Sequence, residues 1–326
     1  YKGEKINVKK DLSIIIPHYN VFELLRKLLD SIPKKDNIEI IVIDDKSDEK
    51  SFKEIVKEKK YEHVIFLKND TNKKGAGTCR NIGLEKATGK WVLFADADDF
   101  FVQGFYEKVA KYFDSDYDVI FFTPTSIYIE TQEISNIHIP YERLILNCIN
   151  NPNALNELLL RYKFLSPWSK MIRKDFICEN DIMFEEVIAA NDVMFSTKVG
   201  YHMKKFLVLN EIIYCYTVRY GSLTKNMSEQ VFDARLNEFI KYYHFLETKL
   251  EQKKFELLNL RGQSFLSLIL KYKLGIKKFI SVFFVLRKNR IKIFELRLLN
   301  PFYTFRKISG IIKQWRKDKK YFTKEL

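Results

Sequence analysis

Lys90-Trp91-Val92-Leu93-Phe94-Ala95-Asp96-Ala97-Asp98-Asp99-Phe100 is an apolar, β-prone run that stops at three carboxylates within four positions. A buried strand ending in acids is a natural ligand edge, because open α/β sheets bind ligands beyond the carboxyl ends of their strands. An Asp-x-Asp pair can hold Mg²⁺ or Mn²⁺ against phosphates, since these cations take hard oxygen ligands and keep substrate oxygens in their shell. Two acids in a turn are ordinarily just solvated, so the surrounding chain has to give the tripeptide its meaning.

Working outward, the same arrangement recurs upstream. Leu12–Pro17 reads as a strand, followed by helical apolar spacing from Val21 to Ile32. Ile38–Ile43 is a second strand running into Asp44-Asp45, and Ser47 to Lys59 reads as a polar helix with Ser47 as its N-cap. Val64–Leu67 is a third strand that opens into the turn-rich loop Asn69–Gly77, and Thr78–Ala87 is helical up to Gly89. Strands alternating with helices predict a doubly wound, mostly parallel α/β sheet flanked by helices. Such a sheet brings Asp44, Asp45, Asp96 and Asp98 to one crevice.

Downstream, the spacing predicts a helix over 101–112 and a strand over 119–122. Short strands and loop are expected over 123–150, then a helix over 153–162. Phe164–Lys170 reads as a loop, a helix starts near Val193, and 206–209 and 212–218 are two strands. From Asp233 the pattern is helical, broken at Pro301; its longest apolar segment, Phe279–Leu286, is too short to span a bilayer.

Of 326 residues 46% are hydrophobic and 30% charged, which excludes a disordered chain. The low count of 11 Gly argues against glycine-rich β architectures, and no internal period is found. Cys79, Cys148, Cys178 and Cys215 are too far apart for a Cys-x-x-Cys pair and read as reduced thiols; five scattered histidines form no zinc pattern. The first residues are polar, with no apolar leader. The net charge of +14 resides in the tail: residues 251–326 hold 20 Lys+Arg against 5 Asp+Glu, and the first 250 hold 36 against 37. Such asymmetry points to an anionic surface as partner.

Four motifs together resemble the family 2 glycosyltransferases of the GT-A fold: Ile15-Ile16-Pro17-x-Tyr19-Asn20, Val42-Ile43-Asp44-Asp45-x-Ser47, Gly75-x-Gly77-x-x-Arg80-Asn81-x-Gly83 and Phe94-x-Asp96-x-Asp98-Asp99. The likeness continues more loosely through Pro167-Trp168-Ser169-Lys170, Asn191-Asp192 and Arg219-x-x-Ser222, in the manner of the bacterial capsule and cell-surface polysaccharide branch. Gly75-Ala76-Gly77-Thr78-Cys79-Arg80 also resembles the phosphate loop of sugar nucleotidyltransferases, but that loop follows the first strand and this one follows the third.

The resemblance implies a nucleotide-sugar donor, UDP-linked, and a sugar transferred with inversion to a glycan or lipid-linked acceptor. Asp44 and Asp45 would face the nucleobase and ribose, with Pro17, Tyr19 and Asn20 on the crevice wall. Asn72, Gly75 and Arg80 would meet the diphosphate side, since glycine lets backbone approach phosphate. Asp96 and Ala97 would border the ribose, Asp98 would hold Mn²⁺ or Mg²⁺, and Asp99 would be either a partner of the metal or a residue supporting the site from behind. Asp192 would be the base that takes the acceptor proton; a helix-capping role is the alternative, and Glu185 and Glu186 are reserve acids. The family usually has an acid where Asn191 stands. Trp168 is a sugar-stacking candidate, with burial in the core as the alternative, while Lys170, Arg219 and Ser222 are candidates for the diphosphate.

The expected organisation is a catalytic domain over 1–232 and a basic helical region over 233–326. In that region Lys271, Lys273, Lys277, Lys278, Phe283, Phe284, Arg287 and later Trp315, Arg316, Lys317, Lys319 and Lys320 mix charge with aromatic and aliphatic residues. An interfacial surface on an anionic membrane is the expected role, placing the protein in the cytoplasm at the inner face of the cell membrane. A homo-oligomer contact is the alternative; no nucleic-acid module is present. The competing overall reading is a non-catalytic glycan- or membrane-binding module of the same fold.

Overall fold

The computed structural model describes residues 10–219 and 228–293. In chain order these form β1 (Leu12–His18), α1 (Phe22–Asp30), β2 (Ile38–Asp44), α2 (Glu49–Val56), β3 (Val64–Lys68), α3 (Ala76–Lys86) and β4 (Trp91–Phe94). There follow β5 (Phe100–Phe101), α4 (Phe105–Ala110), β6 (Val119–Tyr128), α5 (Ile139–Asn150), α6 (Ala154–Lys163), β7 (Lys170–Arg173), α7 (Lys174–Glu179), α8 (Asp192–His202) and β8 (Phe206–Val218). The last four helices are α9 (Glu229–Lys249), α10 (Gln252–Leu257), α11 (Gln263–Lys271) and α12 (Ile276–Lys288).

All eight strands belong to one sheet, ordered β3-β2-β1-β4-β7-β6-β8-β5. β3, β2, β1 and β4 run parallel, with Leu12 opposite both Ile38 and Trp91. β7 runs antiparallel to β4 and β6, and β6 and β8 are parallel again. The expected mostly parallel α/β sheet is therefore present. β1, β2 and β4 are buried along their whole length because helices cover both faces, which is why they read as continuous apolar runs.

Several local readings change. Asp48, not Ser47, caps α2, its carboxylate accepting from Ser51 N–H at 2.9 Å. Ser47 is drawn instead to the crevice, its N–H donating to Asp44 at 3.0 Å. The unread stretch 123–150 contains the outer half of β6 and the whole of α5. Residues 206–218 form one strand whose pairing with β6 shifts register around Thr123. Pro124 has no N–H to give the ladder, and Thr123 Oγ1 donates to Leu209 O at 3.3 Å across the irregularity.

The described residues divide into two compact units, one ending at Leu258 and the other beginning at Asn259. The sequence placed a boundary after 232, whereas α9 lies in the first unit: Phe232, Leu236, Tyr242, Tyr243 and Leu246 are buried, and Tyr242 Oη donates to Tyr162 O at 2.7 Å. In the second unit α11 and α12 pack on each other through Phe265, Leu266, Ile269, Val282 and Leu286. No described helix is long and apolar enough to cross a membrane. The expectations for Trp315, Arg316, Lys317, Lys319 and Lys320 lie outside the described residues, as does Ser222.

Candidate active site

The carboxyl ends of β1, β2 and β4 meet in one crevice. At the end of β1, His18 is 1% exposed, and its Nδ1 lies 2.8 Å from Asp44 Oδ1. Val21 N–H donates to His18 Nε2 at 3.3 Å, so the ring proton sits on Nδ1 and is donated to Asp44. Burial pushes the Asp44 pKa up, but the hydrogen bonds from His18 and Ser47 outweigh it and hold the carboxyl below its usual value. Both Asp44 oxygens thus have protein partners. Asp44 braces β1 against β2 and does not reach out as the resemblance implied. Its neighbour Asp45 is half-buried and accepts from Asn69 Nδ2 at 2.7 Å and from Gly75 N–H at 2.8 Å. Asp45 therefore draws the 69–77 loop toward the strand ends. Asn69, which the motif reading missed, also donates to Lys73 O at 2.7 Å.

Pro17 is buried at the end of β1, whereas Tyr19 is 55% exposed at the crevice mouth. Asn20 adopts φ 51° and accepts from Asp48 N–H at 2.8 Å, which ties this wall to α2. Asn72 is exposed at the tip of its loop.

At the end of β4, the four residues 96–99 separate into two roles. Asp99 is 1% exposed and accepts from Tyr214 Oη at 2.6 Å and Thr217 N–H at 2.7 Å. Burial, then the charges of Asp98 and Asp96, push its pKa well above the usual carboxylate range. It anchors the turn to β8 and is no metal partner. Among the described residues, Asp96 and Asp98 each have one oxygen to which no other residue donates. Asp96 Oδ1 accepts from Arg80 at 2.5 Å, and Asp98 Oδ2 accepts from Arg219 at 2.7 Å. Ala97 is buried between them. Burial and then the Asp96 charge raise the Asp98 pKa, although Arg219 opposes them.

Arg80 joins the two halves of the crevice. It is 4% exposed on α3, and its second nitrogen donates to Asn191 Oδ1 at 2.7 Å. Gly77, one turn earlier on α3, makes this approach possible: a Cβ there would lie 2.2 Å from Glu185 O and 2.9 Å from Asn191 Cβ. Asp192 follows as the first residue of α8. Asn191 makes no side-chain capping bond. Among the described residues, no other residue's N–H or O–H donates to the Asp192 carboxylate. Burial raises its pKa and the Asp96 charge adds to this, while Arg80 works against it.

Two expected contacts fall away. Trp168 is 4% exposed and stacks on Tyr214 at 5.7 Å between ring centroids, with Tyr141 edge-on at 5.0 Å. It supports the crevice floor from behind and offers no face to a sugar. Lys170 is 2% exposed and donates to Phe164 O at 2.5 Å and Ser196 Oγ at 3.2 Å. Burial lowers its pKa to about 7, with the charge of Asp192 opposing the shift. The reserve acids are also engaged, Glu185 by Lys241 at 2.7 Å and Glu186 by Lys73. His18, Asn69, Tyr214 and Thr217 are the participants that motif reading missed. Only His18 was in view, lying between Pro17 and Tyr19.

For a divalent cation the donor set fits. Asp96 and Asp98 leave one oxygen each at the end of β4. No group of three or more His, Cys, Asp or Glu side chains is arranged to hold a metal ion among the described residues. Mg²⁺ and Mn²⁺ commonly take one or two protein carboxylates and fill the shell with phosphate and water oxygens.

Comparison with known proteins agrees with this arrangement. Residues 13–178 match the family described as Glycosyl transferase family 2. The poly(ribitol-phosphate) β-N-acetylglucosaminyltransferase TarS of Staphylococcus aureus is 26% identical over 212 residues, 64% of this chain and 35% of that protein. This chain thus spans about a third of the length of that relative. The crystal structure of S. aureus TarS 1-349 in complex with UDP-GlcNAc superposes with TM-score 0.58 at 23% identity, covering 80% of this chain and 73% of that one. The mannosyltransferase PcManGT from Pyrobaculum calidifontis, in complex with GDP-Man and Mn²⁺, superposes with TM-score 0.51 at 13% identity, covering 91% and 83%. At these identities the structures establish a shared fold.

Proposed function

The chain belongs to glycosyl transferase family 2, and from that premise we propose that it transfers a hexosyl-type sugar, with inversion, from a UDP-sugar to a hydroxyl of a cell-surface polymer or lipid-linked glycan. The observation that carries this reading is Asp192: a carboxylate with raised pKa and no competing donor, set beside Arg80 and Asp96 in the crevice. Asp192 takes the proton of the acceptor hydroxyl as that oxygen attacks the anomeric carbon. Arg80 fixes the position of α8 relative to β4. Asp45 and Gly75 shape the donor side, and Tyr19 and Asn20 form its outer wall. Asp98, with Asp96 beside it, would hold a divalent cation, which would supply positive charge against the leaving nucleoside diphosphate. Arg219, on the other Asp98 oxygen, is a further positive group on that side of the crevice.

UDP and the polymer acceptor are suggested by what the relatives are named for. The test is calorimetry of UDP with and without Mn²⁺, followed by release of UDP from UDP-GlcNAc and other UDP-sugars. Asp98→Asn is expected to remove the metal dependence of UDP binding. Full metal-dependent binding in that variant would sink the metal assignment, and no UDP binding by the wild type would sink the donor class.

The second unit is proposed to hold the protein at an anionic membrane surface. Residues 259–293 contain nine Lys+Arg and no Asp or Glu. Leu270, Ile276, Ile280 and Phe284 are nevertheless 49–70% exposed on the same unit. Basic charge beside exposed aliphatic and aromatic side chains is the composition of an interfacial helix.

A further inference from the structure

A second pocket, of about 770 Å³, lies beside the segment that leads into α8. Glu185 N–H donates to Asn191 O at 3.2 Å, which closes 185–191 into a loop with Val187 and Ile188 within it and Asp192 at its exit. One face of α9, carrying Asp233, Ala234, Glu238 and Lys241, forms the opposite wall. The pocket therefore borders the same loop that presents the base.

Its chemistry is specific. Glu238 is 1% exposed; Oε1 takes Lys241 Nζ at 2.7 Å, and Oε2 is buried with no hydrogen-bond partner. Lys241 is also engaged by Glu185 at 2.7 Å. A buried carboxylate oxygen without a donor is costly, and because Glu238 lines the pocket, a turn of its carboxylate toward it would let an O–H group from a ligand satisfy that oxygen. Two acids and one lysine on the walls disfavour a phosphate or a carboxylate. Val187, Ala234 and the 57% exposed Ile188 give the apolar surface on which the C–H face of a sugar or alditol can lie.

We propose that this pocket is the acceptor subsite and takes a neutral, hydroxyl-rich unit, a sugar ring or an alditol, one of whose hydroxyls donates to Glu238 Oε2. The inference rests on the transferase reading of the crevice, and its test is independent of turnover. Saturation-transfer NMR of the full chain would use ribitol and methyl β-glucoside as probes, with inorganic phosphate as the anionic control. Wild type is expected to saturate at least one neutral probe and not to be displaced by phosphate. Glu238→Gln and Ile188→Asp are each expected to weaken that signal about tenfold, the loss of one charge-assisted hydrogen bond or of the apolar wall. Ile188 is exposed, so its variant keeps the fold, and unchanged UDP affinity in both variants verifies this. No saturation of either neutral probe by wild type, or equal signals in wild type and both variants, overturns the subsite. Loss of UDP binding in wild type would strike the donor reading alone, with the saturation result still deciding the pocket.

Discussion

At the residue scale, Asp192 and Lys170 show how burial sets chemistry. Burial and the Asp96 charge raise the Asp192 pKa, so its conjugate base is stronger than an ordinary carboxylate. Replacing Asp192 with Asn is expected to lower sugar transfer about 10²–10⁴-fold with UDP affinity unchanged. In wild type, kcat/KM should fall as pH drops through this raised pKa, because the protonated form accepts no proton. Activity that is flat down to the ordinary carboxylate range would remove Asp192 from the role of base. Lys170 is a stability group. Its pKa is lowered from 10.5 to about 7 by burial. Above pH 7 the unfolded chain holds a proton that the folded chain has released, so stability rises with pH from about 7 toward the ordinary lysine range. Below 7 both states are protonated and the folded state bears the full cost of a buried ammonium. In urea titrations at pH 6.5 and 9, wild type should gain stability with pH and Lys170→Met should gain much less, whatever their offset. Equal slopes would reject this account. Asp45, Asp96 and Asp98 were legible as crevice residues because a strand that turns from apolar to acidic advertises its own end. The burial of Trp168 was one of two readings open from the sequence, and that of Lys170 was not legible. Their cover comes from Tyr214, Tyr141 and Ser196, distant in sequence, and no local pattern records those contacts.

At the element scale, the site depends on how closely α3 meets the loop before α8. Gly77 is where that contact has no room for a side chain. Gly77→Ala would push Glu185 O and Asn191 away and carry the Arg80 bridge with them. We expect a loss of about 1–3 kcal/mol in stability together with a loss of transfer, measured well below the melting temperature. Gly83, one β1-facing turn further along α3, is the comparison: a Cβ there would meet Ile15 Cγ2 at 2.4 Å, in the core and away from Asn191. Gly83→Ala should be destabilised similarly while keeping its turnover per folded molecule. Equal loss of turnover in both would show that α3 matters only for folding. The parallel strands and their helices were readable because both faces are covered and the apolar runs are unbroken. By contrast α5 went unread. Only Ile145 of its twelve residues is buried, so the apolar period is faint. The irregularity around Thr123 likewise depends on a partner strand some ninety residues away, and the sequence of either strand alone does not contain it.

At the scale of the whole molecule, charge and domain structure have different boundaries. The helical pattern begins near residue 233, yet α9 packs through its aromatic residues into the first unit, and the unit that carries the basic excess starts at Asn259. Composition located the basic excess, but not the division, because a helix reads the same whether it faces a core or water. On α12, Ile276, Ile280 and Phe284 are spaced four apart and are 70%, 49% and 64% exposed, so they share one face. Lys277, Arg287 and Lys288 are exposed on the same helix. Replacing those three apolar residues together with Ser leaves every charge in place. It removes only the side chains that would enter the headgroup region, and because they are exposed the unit should remain folded. Sedimentation with vesicles rich in phosphatidylglycerol is expected to show salt-sensitive binding of wild type and at least about 100-fold weaker binding of the triple variant, since interfacial affinity scales with buried apolar area as well as charge. Vesicles of phosphatidylcholine alone should bind wild type poorly. If the triple variant binds the anionic vesicles as tightly as wild type, the apolar face is not a membrane anchor. If wild type ignores vesicles but forms dimers that the triple variant loses in analytical ultracentrifugation, a second copy of the chain covers this face instead.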